Sequence, residues 1–500
     1  MKEEKKPVAA QKEPAQKITF NIDKEKNFSE WFTEIIRAAE LADLRNNIKG
    51  FIVFQPWSVL CMEAMYGYYE RDLQKRGHKP YWFPALIPEK NLKQESAHVE
   101  GFVPEVFWVT ETGAGEKLEE KYALRPTSET VFYPMFSIWI RSYKDLPFRT
   151  YQRAQVWRYE TKATRPFLRS REFYWIETHN GFATKEEAYQ NVLGDMETAE
   201  RVMHCIFGVP FLFFERPQWD KFAGADSTFA ADTIMPDGKI IQQPSTHMLG
   251  THFAKAFNEK FTNEEGKEEL VYNTCYGPAI SRIFASVVAF HGDNKGLRFP
   301  FEIAPLQIII VPIAGHKNPE VKKTAEKLRN DLFDAGYRVE IDSSDKMPGE
   351  KFFFWEMKGV PLRLELGPKE LEKKEIVLYR RDNGKKKTIK LSSLEKEIAV
   401  NSKELSENLK KQADETFKNI VHDAADKKEL EKIVNCRGFA RANFCSTELD
   451  GAHCAEIVEK EIGATVRGRR IDKQEQAFGS KKCIICGKPA KVVVYIGKQY

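Results

Sequence analysis

Arginine holds its charge at any working pH and offers a rigid five-donor fork, so arginines clustered with aromatic rings point to a phosphate or carboxylate ligand carrying a flat or apolar part. Residues 157–179, WRYETKATRPFLRSREFYWIETH, hold such a cluster: Arg158, Arg165, Arg169 and Arg171, then Phe173, Tyr174 and Trp175. The interleaved glutamates allow a second reading, a solvated ladder on an exposed sheet face. Two further stretches favour a ligand. LRPTSETV (124–131) sets Thr127 and Glu129 two apart, on one face if the chain is extended. GPAISRIFASVVAFHGD (277–293) places Arg282 at the start of an apolar helical run, a setting in which an arginine faces an anion. Cysteines form another constellation: Cys483 and Cys486 stand as C-x-x-C, and Cys445 and Cys454 complete four thiolates, enough for a closed tetrahedral structural zinc site, with Cys436 as a rival ligand. Cys61 and Cys205 sit in apolar helical runs and are expected in the core; Cys275 is undecided. In GEKFFFWEMKGVPLRLELGPKEL (349–371), Glu356, Arg363 and Lys369 are polar groups among apolar residues that suggest strand, a pattern that also fits a solvated sheet face.

These residues need elements to hold them. RTYQRAQVWRYE and REFYWIETHNGFA flank a loop carrying Pro166 and polar turn formers, which predicts two antiparallel strands. Trp57, Leu60, Cys61, Ala64, Met65 and Tyr68 recur at helical spacing behind Pro56, and Arg76-Gly77 ends that helix; PYWFPALIP (80–88) then suggests a strand at an edge or interface. From Leu306, LQIIIVPIAG, a charged helix over 319–336, YRVEID and PLRLELG alternate as in an α/β domain, and a charge-rich helical stretch follows over about 392–432. Residues 1–16 have almost nothing to bury and are expected to be a disordered tail. With 500 residues, 42% of them hydrophobic, the chain holds enough apolar material for several cores. It has no membrane-length apolar run and no secretory signal, so a cytoplasmic location and reduced thiols are expected. A net charge of +5 permits a nucleic-acid partner without requiring one.

Three blocks carry a resemblance. The first helix and the strand near Pro84, then Trp157-Arg158-Tyr159-Glu160 with the Arg169–Phe173 spacing, then Gly277 to Arg282, resemble motifs 1, 2 and 3 of class II aminoacyl-tRNA synthetases. RPTSET, TRPFLRSREFYWIETH, FAGAD and WEMKGVPLRLELGPKEL, in this order, resemble the prolyl-tRNA synthetases of the archaeal and eukaryotic type over nearly everything after the tail.

The resemblance implies an α/β multidomain fold: a class II antiparallel-sheet catalytic domain (17–304), an α/β anticodon-binding domain (305–402) and an α+β zinc-binding C-terminal domain (403–500). It implies ATP-dependent attachment of L-proline to tRNA(Pro) through a prolyl-adenylate, with Mg²⁺ on the phosphates, structural Zn²⁺ and a homodimer. By this resemblance Arg158 and Arg282 are catalytic. Glu160, Arg169, Ser170, Phe173, Gln242 and Ser245 join them at ATP; Thr127, Glu129, Phe102, Trp175, His179, Phe222 and His247 join Arg158 at proline. Glu356, Arg363 and Lys369 would read the anticodon. The interval between His179 and Gly277 is too short for an inserted editing domain. A seryl-type enzyme is the near rival, but it would carry an N-terminal coiled coil. A non-catalytic tRNA-binding paralogue would have lost motif arginines that are present here.

Overall fold

Phe28, Trp31, Phe32, Ile35 and Ile36 bury one face of helix α1 (Phe28–Ala38), capped by the Asn27 side chain accepting from the Glu30 N–H. The chain is described by a computed structural model over residues 20–98, 105–161, 163–315 and 317–500; the expected tail and Phe102 lie outside the described residues. Helix α2 (Pro56–Lys75) opens on its proline and stops before Gly77 as predicted, but its buried stripe is Cys61, Met62, Met65, Tyr69 and Leu73. Leu60, expected in that stripe, is 53% exposed.

The segment 80–88 is not one strand. Strand β1 (Lys79–Pro80) ends before Pro84, which has no N–H to extend a ladder, and Leu86–Pro88 pairs with Lys117–Leu124 in a separate small sheet. Helix α3 (Glu129–Trp139) leads to the predicted ribbon: β2 (Phe148–Trp157) runs antiparallel to β3 (Glu172–Phe182), from Phe148 opposite Gly181 to Trp157 opposite Glu172, and β1 lies parallel to β2. Helix α4 (Lys185–Ala199), closed by a Thr184/Glu187 capping box, is followed by strands β4 (Leu212–Glu215), β5 (Ser227–Ile234), β6 (Ile240–Gly250) and β7 (Tyr272–Gly277) and the apolar helix α5 (Ile280–His291). The interval between His179 and Gly277 thus holds strands of this sheet, the helices that follow them and a separate small hairpin, Lys260–Thr262 paired with Glu268–Leu270.

Next comes a second sheet with strands β8 (Ile308–Pro312), β9 (Val339–Ile341), β10 (Leu362–Leu366), β11 (Glu375–Arg380) and β12 (Lys386–Lys390), in the order β9-β8-β10-β11-β12. Its three-stranded parallel part needs cover on both faces. Helices α6 (Pro319–Asp334) and α8 (Leu394–Lys418) pack Val321, Ala325, Leu332, Ile398 and Leu405 on one face, while α7 (Pro348–Lys358) sets Phe352 and Trp355 against Ile309 and Val311 on the other. The long charged helix predicted to about 432 is broken: α8 ends at Lys418, β13 (Val421–Ala424) intervenes, and α9 (Lys427–Asn435) begins on an Asp426 cap. The expected division at 402/403 falls within α8, a single 25-residue helix whose Phe417 packs on Phe214, Phe439 and Tyr495.

The last strands, β14 (Phe439–Phe444), β15 (Thr465–Arg470) and β16 (Val492–Gly497), do not make a free-standing sheet. They extend the sheet of β1 to β7 to eleven strands, β13-β14-β16-β15-β4-β5-β6-β7-β3-β2-β1. The seam is β15 against β4, with Arg469 opposite Glu215 and Arg470 opposite Phe214. Gly468 is required there: its φ is +114°, and a side chain would collide with the Glu215 carbonyl.

A second tie to this region is ionic. His204, in a π-helical turn after α4, has Nδ1 at 2.6 Å from Glu200 Oε1 and Nε2 at 2.7 Å from Asp414 Oδ1 on α8. Burial opposes protonation, but the two carboxylates hold its pKa above the ordinary 6.5. A raised folded-state pKa contributes stability that is complete below the unfolded value and lost as pH rises through the folded one. His204→Gln is therefore expected to cost about 1 kcal/mol or less near pH 6 and nothing near pH 9. Equal shifts in thermal melts at both pH values would contradict this.

Candidate active site

Arg158 leaves the end of β2 and turns inward. Its N–H bonds the Arg171 carbonyl across the ribbon, its Nε donates to the Pro126 carbonyl at 3.0 Å, and its guanidinium lies 5.2 Å from the Phe173 ring and 5.8 Å from Trp175. Arg282, in the first turn of α5, donates from Nη1 to the Gln242 carbonyl at 3.0 Å. Burial, then the charges of Arg158 and Arg169, lower its pKa to about 10, so it stays protonated at neutral pH. Guanidiniums gathered this closely repel one another unless an anion sits among them.

Two cavities meet at these arginines. One, of about 380 Å³, is lined by Thr127, Glu129, Trp175, His179, Phe222 and His247 among others; the second, of about 300 Å³, is lined by Glu160, Arg169, Ser170 and Tyr500. Arg158, Phe173, Gln242, Ala279 and Arg282 belong to both.

In the first cavity, Thr127 and Glu129 come together for a reason other than the expected extended chain. Glu129 is the first residue of α3, and Thr127 Oγ1 donates to its Oε2 at 2.5 Å. On the other side, the Cys275 thiol donates to Glu129 Oε1 at 3.7 Å, which places the undecided cysteine in this wall. His179 is held from both sides, by Tyr133 Oη at 3.2 Å and by Glu177 Oε2 at 3.3 Å. Glu177 was missed. Burial opposes its charge, but His179, Ser128 and Arg125 hold its carboxyl below the usual range, and Gln152 donates to it at 2.7 Å. The signal was present, since Trp175, Glu177 and His179 alternate on one strand face. His247 is neutral: burial, then Arg216 and His179, press its pKa to about 3, and Thr228 and Ser245 hydroxyls contact its two nitrogens at 2.9 and 3.0 Å.

Ser245, expected at the nucleotide, thus lines the first cavity, whereas Ser170 lines the second and Gln242 both. Arg165 and Arg171 stand outside the cavities. Arg165 stacks on Phe32 and Tyr500 and lies 3.6 Å from Asp237; Arg171 stacks 4.3 Å from the Tyr159 ring. Tyr500, which lines the second cavity, accepts from Arg169 Nη2 through its main-chain oxygen at 2.6 Å and donates from its hydroxyl to Asp237 at 2.7 Å.

Residues 107–291 match the class II tRNA synthetase core domain (G, H, P, S and T), 307–401 an anticodon binding domain and 427–500 the prolyl-tRNA synthetase C-terminal domain. A proline–tRNA ligase of Thermofilum pendens is 46% identical over 96% of this chain and 98% of its own length. The chain belongs to the prolyl-tRNA synthetase family. A relative from Methanopyrus kandleri is 40% identical over 95% of this chain and 96% of its own. The solved prolyl-tRNA synthetase of Giardia lamblia in complex with prolyl-adenylate superposes with a TM-score of 0.90 at 34% identity, covering 96% of this chain and 100% of that one.

In the part matching the synthetases' anticodon domain, Glu356 lies on α7, a helix and not the expected strand. Nor is Arg363 on a solvated face. It is 3% exposed, sandwiched between Phe352 at 3.9 Å and Tyr379 at 4.0 Å, and paired with Glu356 at 3.2 Å and Glu365 at 3.0 Å. Lys369, on a short helix after β10, is exposed.

The part matching the synthetases' C-terminal domain gathers Cys445, Cys454, Cys483 and Cys486, with all four sulfurs within 4.8 Å of one another. A tetrahedral zinc with bonds of about 2.3 Å needs sulfur–sulfur edges of roughly 3.8 Å, so the set fits that ion. The Gly487 N–H donates to the Cys483 carbonyl at 3.0 Å and closes the C-x-x-C turn. Cys436 caps α9 at the surface, away from the four. Cys205, expected in the core, is exposed in the π-helical turn with its thiol 3.7 Å from Glu200, while Cys61 is buried as predicted.

Proposed function

We propose that this chain joins L-proline to tRNA(Pro) in two ATP-dependent steps, and that the first cavity takes proline and the second takes the nucleotide. The observation that carries this reading is the placement of Arg158 and Arg282 on the wall between the cavities. A carboxylate oxygen of proline attacks the α-phosphorus of ATP, the bond to the β,γ-pyrophosphate breaks, and pyrophosphate leaves. Arg158 holds carboxylate and α-phosphate together and offsets their repulsion; Arg282 and Arg169 hold the outer phosphates. Phe173 stacks on adenine, Glu160 accepts from its amine, and Ser170 and Gln242 add contacts. No side chain acts as a covalent nucleophile. Mg²⁺ bound with the nucleotide supplies further phosphate charge neutralisation. Glu160 is the one acidic side chain among the described residues lining the second cavity, which fits an ion that would be held chiefly by phosphate and water.

Glu129, with Thr127, receives the secondary ammonium of proline, and Trp175, His179, Phe222 and His247 wall its ring. Glu129→Gln removes the charge but keeps the shape. It is expected to raise the KM for proline by roughly tenfold or more and leave that for ATP within about twofold, the loss of one charge-assisted contact. Equal changes in both would reject this assignment.

In the second step a hydroxyl at the tRNA 3′ end attacks the prolyl carbonyl and AMP leaves. Residues 17–304 carry this chemistry. Residues 305–402 bind the anticodon through Glu356, Arg363 and Lys369, and residues 403–500 hold a structural zinc through the four cysteines. The protein works in the cytoplasm; no described helix is long and apolar enough to cross a membrane. Two copies pair through α2 and the segment after β1, where Val59, Leu60, Trp82 and Leu86 are exposed. Sedimentation is expected to give a dimer, and an active monomer at working concentration would exclude one. The reading as a whole is tested by charging a tRNA(Pro) transcript with labelled proline and ATP: accumulation of prolyl-tRNA supports it, and none refutes it.

A further inference from the structure

Between the catalytic strands and β15 lies a buried charge network that reaches the wall shared by the two cavities. Asp232, on β5 and fully buried, accepts from two guanidiniums: from Arg216 Nη1 and Nη2 at 2.8 and 2.7 Å, and from Arg467 Nε and Nη2 at 2.7 and 3.1 Å. Arg216 follows β4; Arg467 lies on β15 and is 1% exposed. Arg216 Nη1 also donates to the Arg467 carbonyl at 2.9 Å, and its Nη2 donates to Gln242 Oε1 at 3.2 Å. Gln499, which lines the second cavity, accepts from Arg467 once its amide is oriented with the oxygen toward that guanidinium.

A primary amide has an acceptor end and a donor end. With Gln242 Oε1 taken by Arg216, its NH₂ is the group left for an anionic oxygen of carboxylate or phosphate. Turned round, the amide would set a donor against a guanidinium, so the network selects one orientation. The Gln242 main-chain carbonyl holds Arg282 at the same time. Arg467 itself lines neither cavity.

We propose that Arg467 is a positioning residue for amino-acid activation: through Asp232 it fixes Arg216, and Arg216 presents the Gln242 amide NH₂ to the reacting anions. The C-terminal domain is then a working part of the site as well as a structural one. Asp232 is clamped by two forks, and loss of one frees its carboxylate to rotate and Arg216 to follow. Lysine at 467 keeps the charge but cannot form the fork.

This inference rests on the assignment of the two cavities to proline and nucleotide, and a double-mutant cycle separates the two claims. Full-length wild type, Arg467→Lys, Gln242→Ala and the double variant are compared in proline-dependent ATP–pyrophosphate exchange, with a thermal melt of each. Each single substitution is expected to lower kcat/KM about tenfold, and the double variant to be no worse than Gln242→Ala alone, because Arg467 acts through that amide. Independent losses multiplying to about a hundredfold, or a wild-type rate in Arg467→Lys, would overturn the proposal. Should Arg467→Lys fail to fold, Gln242→Glu gives a second reading. Its carboxylate still accepts from Arg216 but has no donor end, so a loss matching Gln242→Ala supports the amide's role and wild-type activity refutes it. Wild-type protein with no proline-dependent exchange is the separate failure of the functional reading.

Discussion

Arg158→Ala lowers proline-dependent ATP–pyrophosphate exchange by roughly a hundredfold or more, the scale expected when a preorganised charge is withdrawn from the point where charge moves in the transition state. The size follows from position. Arg158 is the guanidinium both cavities share with Arg282, and its fork is oriented before substrate arrives by the Pro126 carbonyl and by the Phe173 and Trp175 rings. Arg282 cannot replace it, because its own Nη1 is committed to Gln242. Arg158→Lys is expected to recover little, since a point charge cannot bridge two anions as a fork does. An exchange rate near wild type in Arg158→Ala would place the catalytic arginine elsewhere.

Removal of zinc is the second large effect. Purified protein is expected to carry about one zinc per chain, and Cys483→Ala to lose it together with several kcal/mol of stability, because binding energy at a structural site is folding energy. The damage should not stop at the C-terminal domain. Strands β14, β15 and β16 continue the catalytic sheet through β4, and Arg467 on β15 reaches Asp232 on β5, so loosening them disturbs the wall that holds Gln242. Exchange activity and metal content should therefore fall together. Cys436→Ala should leave both unchanged. Metal analysis that finds no zinc in protein prepared without chelator, or full zinc in Cys483→Ala, would reject the site.

What could be read from the chain without coordinates was local. The β2–β3 ribbon followed from alternation and turn residues, α5 from its apolar period, and the paired cysteines from their spacing, because each signal lies within a few residues of itself. Short apolar runs were less informative. FFFW around Phe353 suits a strand or a buried helix equally, which is why Glu356 was expected on a sheet and lies on α7. Proline in 80–88 marked an edge, but not that the chain would divide there between two sheets. Helical spacing gave α2 correctly and its buried face only in part, since Leu60 faces outward where periodicity alone placed it in the core.

The least legible residues act across long separations. Glu177 means little until Ser128, Gln152 and His179 are seen around it. Arg169 meets Tyr500 across 331 positions, and Asp232 meets Arg467 across 235. No spacing rule spans such distances; the docking of β15 on β4 brings Arg467 to Asp232, and the pairing of residues 498–500 with Ile240 brings Tyr500 to Arg169. The family resemblance named about half of the cavity residues, and the structure sets one of them, Ser245, beside His247 in the first cavity.

The most direct test of the central claim is amino-acid-dependent ATP–pyrophosphate exchange by the purified protein, run with each standard amino acid in turn. The proposed assignment of proline and nucleotide to the two cavities meeting at Arg158 and Arg282 predicts that proline supports by far the highest kcat/KM. Exchange driven better by another amino acid, or none with proline, would contradict it.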